Sequence, residues 1–266
     1  MDKIASRVNQ FYEQYPYPSL PIRTERDLIK KLHANVMSRI LATAELEQGS
    51  LSGKDILDAG CGTGEKACYF SYYGANVTAF DLCRASLGKA QELAGKFNLR
   101  VDFSRCDIAE FRPGKKFDHV FCLGALHHTK YPYTNFKALS GLCKPGGTIT
   151  IGLYNRYGRL THRATRMWIG LRAGNDFGKR MAYVERSVYG RRMRSTHEIA
   201  YVADKYVHPH ESYHTVGEVL DWFDRDGFTF MGSHPHIGKG KIGAFMAQLK
   251  WLARGNGFFI ISGMKD

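Results

Sequence analysis

The stretch Asp55-Ile56-Leu57-Asp58-Ala59-Gly60-Cys61-Gly62-Thr63-Gly64 holds the residues whose types and spacing point most directly to chemistry. Its first half reads as an apolar strand ending in an acid, and glycine then takes every second position before a helical pattern starts. Glycine is needed where the backbone adopts a positive φ or where a ligand must come close. Backbone N–H groups that open a helix make a seat for an anionic or polar group. A second acid, Asp81, closes the next apolar run, Val77-Thr78-Ala79-Phe80. A nucleotide-binding βαβ unit places there the carboxylate that takes ribose hydroxyls. Loop and acid together predict an adenosine-type cofactor.

The glycines fall as G-x-G-x-G, whereas dinucleotide sites use G-x-G-x-x-G. Asp58 stands two residues ahead of the first glycine, where a carboxylate would repel a pyrophosphate and suit a cation. S-adenosyl-L-methionine, with a sulfonium, an ammonium and no phosphate, fits this description; NAD fits it poorly. The segment resembles the first motif of class I S-adenosylmethionine-dependent methyltransferases, (I/V/L)-L-D-x-G-x-G-x-G. Asp81-Leu82 resembles the second motif, and Cys106-Asp107-Ile108, after the apolar run Val101–Phe103, resembles the third. Phe117-Asp118-His119-Val120-Phe121-Cys122-Leu123 resembles the fourth strand, and Leu142-Cys143-Lys144-Pro145-Gly146-Gly147-Thr148 the turn into the fifth.

The resemblance runs from Asp55 to Ile151 and leaves both flanks open. It implies S-adenosyl-L-methionine as cofactor and S-adenosyl-L-homocysteine as product. The cofactor residues it implies are Asp58, Gly60, Cys61, Gly62, Thr63, Gly64, Asp81, Leu82, Asp107, Ile108 and Leu123. Asp81 would grip the ribose, Asp107 would meet the adenine amino group, and Ile108 would pack on the ring.

A sulfonium is already an activated leaving group, so such a protein has only to hold the acceptor in line with the methyl and, where needed, take a proton from it. Candidates for that work follow the fourth strand in Gly124-Ala125-Leu126-His127-His128-Thr129. His127 is a possible general base near neutral pH, and the resemblance gives His128 a role in supporting the cofactor loop. The alternative for both is packing and hydrogen bonding. A tyrosine cluster in the N-terminal arm, Tyr12, Tyr15 and Tyr17, offers rings to pack on and hydroxyls to orient an acceptor; Tyr15 joins the two histidines as a catalytic candidate. Tyr154, Asn155 and Arg156 leave the fifth strand at the same edge, where Arg156 could hold a substrate carboxylate or phosphate. His208-Pro209-His210 and His214 lack cysteine or carboxylate in ligand spacing, so no metal is expected.

Strands and helices must position these residues, and they alternate as Asp55–Ala59, Glu65–Tyr73, Val77–Phe80, Ala85–Phe97, Val101–Phe103, Asp118–Leu123, Tyr133–Leu142 and Thr148–Tyr154. That order predicts an α/β fold: a Rossmann-like, seven-stranded, mostly parallel sheet with helices on both faces. Residues 1–50 read as an N-terminal helical arm, and residues 51–155 with 207–266 as the core. The core ends in a helix at Val216–Arg225 and strands at Phe228–Gly232 and Phe258–Ser262, the last expected antiparallel from the resemblance. Residues 156–206 read as a mainly helical insertion after the fifth strand, at the edge where ligands bind, which suggests a substrate lid.

The chain has 266 residues, a hydrophobic content of 44% and a net charge of +13. Much of the excess lies between Arg156 and Arg194, where only Asp176 and Glu185 oppose a run of arginines and lysines. Such a field attracts anions. Six scattered cysteines without a C-x-x-C pair predict reduced, mostly buried thiols, and with no leader-like or spanning apolar run the expected place is the cytoplasm.

The loop after the fourth strand has no (N/D)-P-P-(Y/F), and Cys122 has no adjacent proline. Both absences weigh against base-modifying chemistry. The first reading is therefore methyl transfer to an O, N or C nucleophile of a small anionic or phenolic acceptor. An RNA or tRNA methyltransferase and a lipid or quinone methyltransferase remain alternatives. For the lipid case, Leu160, Ala164, Met167, Trp168 and Leu171 form one helical face beside Arg159, Arg163 and Arg166, which can lie on an anionic membrane. The preferred account of that helix is a lid packed on the core. A cofactor-binding regulatory protein is the non-enzyme alternative, and oligomeric state is left open.

Overall fold

A computed structural model describes residues 2–238, 240–255 and 257–266, the side chain of Lys241 excepted. Seven strands form one sheet: β1 Asp55–Ala59, β2 Asn76–Asp81, β3 Val101–Arg105, β4 Phe117–Leu123, β5 Cys143–Tyr154, β6 Phe228–His234 and β7 Phe258–Lys265. Their order is β3-β2-β1-β4-β5-β7-β6. The first five are parallel, and β7 enters antiparallel between β5 and β6. This is the sheet expected from the alternation of elements. The strand order reverses at β1 and β4, so the crevice beyond their carboxyl ends is where a ligand belongs.

Side chains of successive strand residues serve opposite faces, as a pleated strand requires. Leu57, Val120, Cys122, Phe259 and Ile261 join one core, and Ile56, Phe121 and Ile260 the other. The first core is closed by helices α5 Pro132–Ser140, α9 Val216–Asp226 and α10 Gly240–Arg254, through Phe136, Trp222, Phe223 and Trp251. The second is closed by α3 Glu65–Tyr72 and α4 Arg84–Lys96, and by two π-helical turns, Asp27–Lys31 and His33–Met37, that lead into α2 Ser38–Thr43. The periodicity over 26–46 predicted a regular helix; the chain turns wider there, with Leu28, Leu32, Met37 and Ile40 still facing the core.

Helix α1 spans Lys3–Gln14, capped by Asp2, whose carboxylate accepts from the N–H groups of Ile4 and Ala5. Residues 156–206 form α6 Leu160–Ala173, α7 Phe177–Val184 and α8 Thr196–Tyr206. A third apolar cluster joins these pieces: Phe11 of α1 is buried among Ile169, Phe177, Met181, Val184 and Val202. Arm and insertion are thus one cap over the carboxyl edge of the sheet. All six cysteines are free thiols, five of them buried. Among the described residues no helix is long and apolar enough to cross a membrane.

Candidate functional site

The loop between β1 and α3 runs through three glycines with positive φ, at Gly60, Gly62 and Gly64. Each is also sterically required. A Cβ on Gly60 would stand 2.5 Å from the Ala125 Cβ, and one on Gly64 2.6 Å from the Ala90 Cβ. A Cβ on Gly62 would collide with the Tyr17 carbonyl oxygen. The loop's N–H groups are all committed. Those of Gly60 and Cys61 donate to the Phe80 carbonyl, that of Thr63 to the Tyr17 carbonyl, and that of Gly64 to the Cys61 carbonyl. The Gly62 N–H donates to Asp81 Oδ2 at 2.9 Å. The loop therefore presents no spare donors to a diphosphate; it offers a Cβ-free surface instead.

Asp81 lies at the end of β2 on the wall of a cavity of about 610 Å³. Its other oxygen accepts from the Cys83 N–H at 2.9 Å. Each oxygen so retains a lone pair for a further donor, which suits the two hydroxyls of a ribose. Gly60, Cys61, Gly62, Leu82, Asp107, Ile108 and Leu123, all expected at the cofactor, line the same cavity.

Three expected cofactor residues sit elsewhere. Thr63 and Gly64 are outside the lining; Thr63 ties down the arm, its hydroxyl oxygen accepting from the Ser19 N–H at 2.8 Å. Asp58 is fully buried and is not on the cavity wall. Lys66 Nζ is 4.0 Å away. Burial pushes the Asp58 carboxyl upward, and Lys66 opposes that push. Asp58, expected to select a cationic ligand, is off the wall, and the carboxylates on the wall near the glycines are Glu65, Asp81 and Asp107.

The N-terminal arm seals this end. The Leu20 N–H donates to Glu65 Oε1 at 2.8 Å, and the Glu13 carboxylate accepts from the N–H groups of Arg84 and Ala85. An alanine at Gly62 must therefore displace the Tyr17 carbonyl as well as bear a left-handed φ, which costs an L-residue about 1 kcal/mol. We expect Gly62→Ala to lower the melting temperature and to weaken cofactor binding in calorimetry.

At the other end the wall carries Tyr12, Tyr17, His128, Tyr154, Arg159 and Asp204. Asp204, from α8, is the centre. Tyr12 Oη donates to its Oδ1 at 2.9 Å and Tyr154 Oη to its Oδ2 at 3.2 Å. His128 Nε2 is 4.0 Å from Oδ1. The ring's Nδ1 meets the His210 carbonyl at 2.8 Å. A carbonyl only accepts, so in the neutral ring Nδ1 carries the proton and Nε2 offers its lone pair. Burial holds the His128 pKa down to about 4, so the ring is neutral at ordinary pH. Burial pushes the Asp204 carboxyl up, against the two tyrosine hydrogen bonds. Arg159 lies over the Tyr154 ring at 3.6 Å and pairs with Glu211 at 3.0 Å.

Of the catalytic candidates, His128 reaches the wall, while His127 and Tyr15 do not. His127 is fully buried against the Tyr154 ring at 3.9 Å. Tyr15 packs on Phe11 at 5.3 Å. Of the substrate candidates, Tyr12, Tyr17 and Tyr154 line the cavity and Asn155 and Arg156 do not. Asn155 is buried and caps a turn, its Oδ1 accepting from the N–H groups of Tyr157 and Gly158. Arg156 is exposed near Glu218, and Arg159 takes the inward place. Sequence reasoning missed Asp204 and Arg159; the buried neighbours Ala200, Ala203 and Val207 mark the inward face of α8 that carries Asp204.

It also missed a donor set. Potential ligand atoms of His128, Asp204 and His208 lie within 4.8 Å of one another, where no metal was expected. Both carboxylate oxygens of that set already accept tyrosine hydrogen bonds.

Residues 57–151 match a family model described as a methyltransferase domain. An uncharacterised protein of a Synechococcus strain is 29% identical over 87% of this chain and 60% of its own length. A ubiquinone biosynthesis O-methyltransferase of Dechloromonas aromatica is 38% identical over 40% of this chain and 47% of its own. The chain thus spans about half the length of these curated relatives. Among solved structures, magnesium protoporphyrin IX methyltransferase from Synechocystis, with bound S-adenosylhomocysteine, shares the fold at a TM-score of 0.63 and 15% identity, over 99% of this chain and 100% of that one. Residues 57–151 thus match a methyltransferase domain and the chain shares the fold of solved methyltransferases; the cofactor expected from the sequence is S-adenosyl-L-methionine. The committed loop N–H groups, the bare glycine surface and the spare lone pairs of Asp81 fit it.

Proposed function

We propose that the chain transfers the methyl group of S-adenosylmethionine to a small acceptor bearing an ionisable hydroxyl or other acidic group. The observation that carries this reading is Asp204: a buried carboxylate that two cavity tyrosines hold beside a neutral histidine. The cofactor supplies a methyl group already activated by its sulfonium. Asp81 takes the ribose hydroxyls, Asp107 the adenine amino group, and Leu82 and Ile108 flank the ring. The acceptor hydroxyl faces His128, and its proton passes to Nε2. The His210 carbonyl keeps Nδ1–H in place, and the Asp204 carboxylate stabilises the imidazolium that forms. Tyr12 and Tyr154 hold Asp204, and their rings flank the acceptor. Arg159, stacked on Tyr154, brings a fixed positive charge that favours an anionic acceptor. The arm and the insertion exclude water from this pocket, and α8 in particular acts as the acceptor lid.

A test is to follow S-adenosylhomocysteine release with a panel of phenolic and carboxylate acceptors. General-base removal costs on the order of 100-fold or more in rate. We expect His128→Gln to lose that much in kcat while its affinity for S-adenosylhomocysteine stays unchanged. Full turnover by that variant would remove His128 from the reaction. Turnover with RNA and none with small acceptors would overturn the acceptor class.

A further inference from the structure

Helix α6 is turned the wrong way for a lid. Its only buried side chain is Ile169. The face of Leu160, Ala164, Met167, Trp168 and Leu171, expected to pack on the core, points to solvent, with Met167 68% and Leu171 75% exposed. Helix α10 repeats the pattern with Ile242, 82% exposed, Phe245 and Met246. The Tyr157 and Phe245 rings meet at 6.3 Å, which brings α10 near the turn that leads into α6. A folded chain seldom leaves so much apolar side chain in water unless something covers it.

We propose that this face seats on an anionic lipid surface. The charge around it favours that occupant. Neither α6 nor α10 contains an aspartate or glutamate. Arg163 and Arg172 flank the apolar stripe of α6 and are exposed, the latter over the Trp168 ring at 4.4 Å. Leucine, methionine and tryptophan enter the acyl boundary while arginines beside them reach phosphates, the arrangement of an interfacial helix. A second copy of the chain would bring the same arginines against these, and no carboxylate on the face would answer them. A nucleic acid would satisfy the arginines and leave the aliphatic side chains unsatisfied. The lipid contact stands independently of the methyl-transfer reading.

The experiment is flotation of the full chain with vesicles of phosphatidylcholine alone and of equimolar phosphatidylcholine and phosphatidylglycerol. Trp222 and Trp251 are buried, so Trp168 reports the contact by its fluorescence. We expect flotation with the anionic vesicles, a blue shift of the emission, and little of either with phosphatidylcholine. Met167→Glu with Leu171→Glu should weaken partitioning at least tenfold and leave melting temperature and S-adenosylhomocysteine affinity unchanged. Arg163→Gln with Arg172→Gln should weaken it chiefly at low salt. Three results would overturn the proposal: no flotation, flotation undiminished by the glutamates, or concentration-dependent self-association that the glutamates abolish.

Discussion

Replacing Asp81 by alanine is expected to weaken S-adenosylhomocysteine binding by roughly 100-fold or more, since two hydrogen bonds to a charged group are lost at about 1.5 kcal/mol or more each. The native protein should bind that ligand with micromolar affinity in calorimetry and show no comparable affinity for NAD. The effect has a second source. The carboxylate also holds the N–H groups of Gly62 and Cys83, so the glycine loop loses its tie to β2. Asp81→Asn separates the two contributions. Its amide oxygen can keep one of those backbone bonds, while its NH2 cannot accept from a ribose hydroxyl. The asparagine variant should therefore be more stable than the alanine variant and still bind poorly. Unchanged affinity in either variant would sink the assignment of the ribose site, and with it the reading of the crevice at β1 and β4 as a cofactor seat.

The parts of this site that were legible in the sequence are those encoded by neighbours in the chain. Gly60, Gly62, Asp81, Asp107 and Ile108 each stand at the end of a strand or just past it, and a strand's end is fixed by the local run of apolar residues. Where a residue's role depends on direction, the sequence was less informative. His127 and His128 are adjacent in one tight turn, Leu126–His128, and only its orientation decides which ring meets the cavity. Arg156 and Arg159 differ in the same way, the first turned to solvent and the second inward. Asp58 misled because a strand-end acid and a buried acid answered by Lys66 have the same spacing from the glycines. Asp204 was invisible for a different reason: its partners come from α1, from the end of β5 and from the loop after β4, and no local pattern joins them. The face of α6 was read correctly as amphipathic, but periodicity identifies a stripe without saying what covers it. Helix α10 was missed outright, because glycine and lysine in Gly240-Lys241-Ile242-Gly243 blur its start.

Acidification should destabilise the protein well above the pH at which most carboxylates protonate. Six histidines are pushed down by burial, His234 among them. His119 and His128 are pushed down to about 4 and His162 to about 3, and His127 and His208 lie well below their ordinary value. In the unfolded chain each takes a proton near 6.5. Between that value and the folded ones the unfolded state binds more protons, so stability rises with pH and is lost as pH falls through this window. A histidine fully in that regime contributes about 1.4 kcal/mol per pH unit. Asp58, Asp81 and Asp204 act in the opposite sense, since burial raises their carboxyls and protonation relieves it. They number three against six, and their window opens only above the ordinary aspartate value of 3.8. The net expectation is a melting temperature that falls steadily from pH 6.5 downward. His119 isolates the cause. It sits in β4 with Nδ1 2.9 Å from Thr148 Oγ1, away from the cavity, and its shift comes first from burial. A glutamine there cannot titrate, so His119→Gln should flatten the pH dependence by close to one proton between pH 6 and 5 in denaturant titrations. An undiminished slope in that variant would move the acid sensitivity from the buried histidines to the carboxylates.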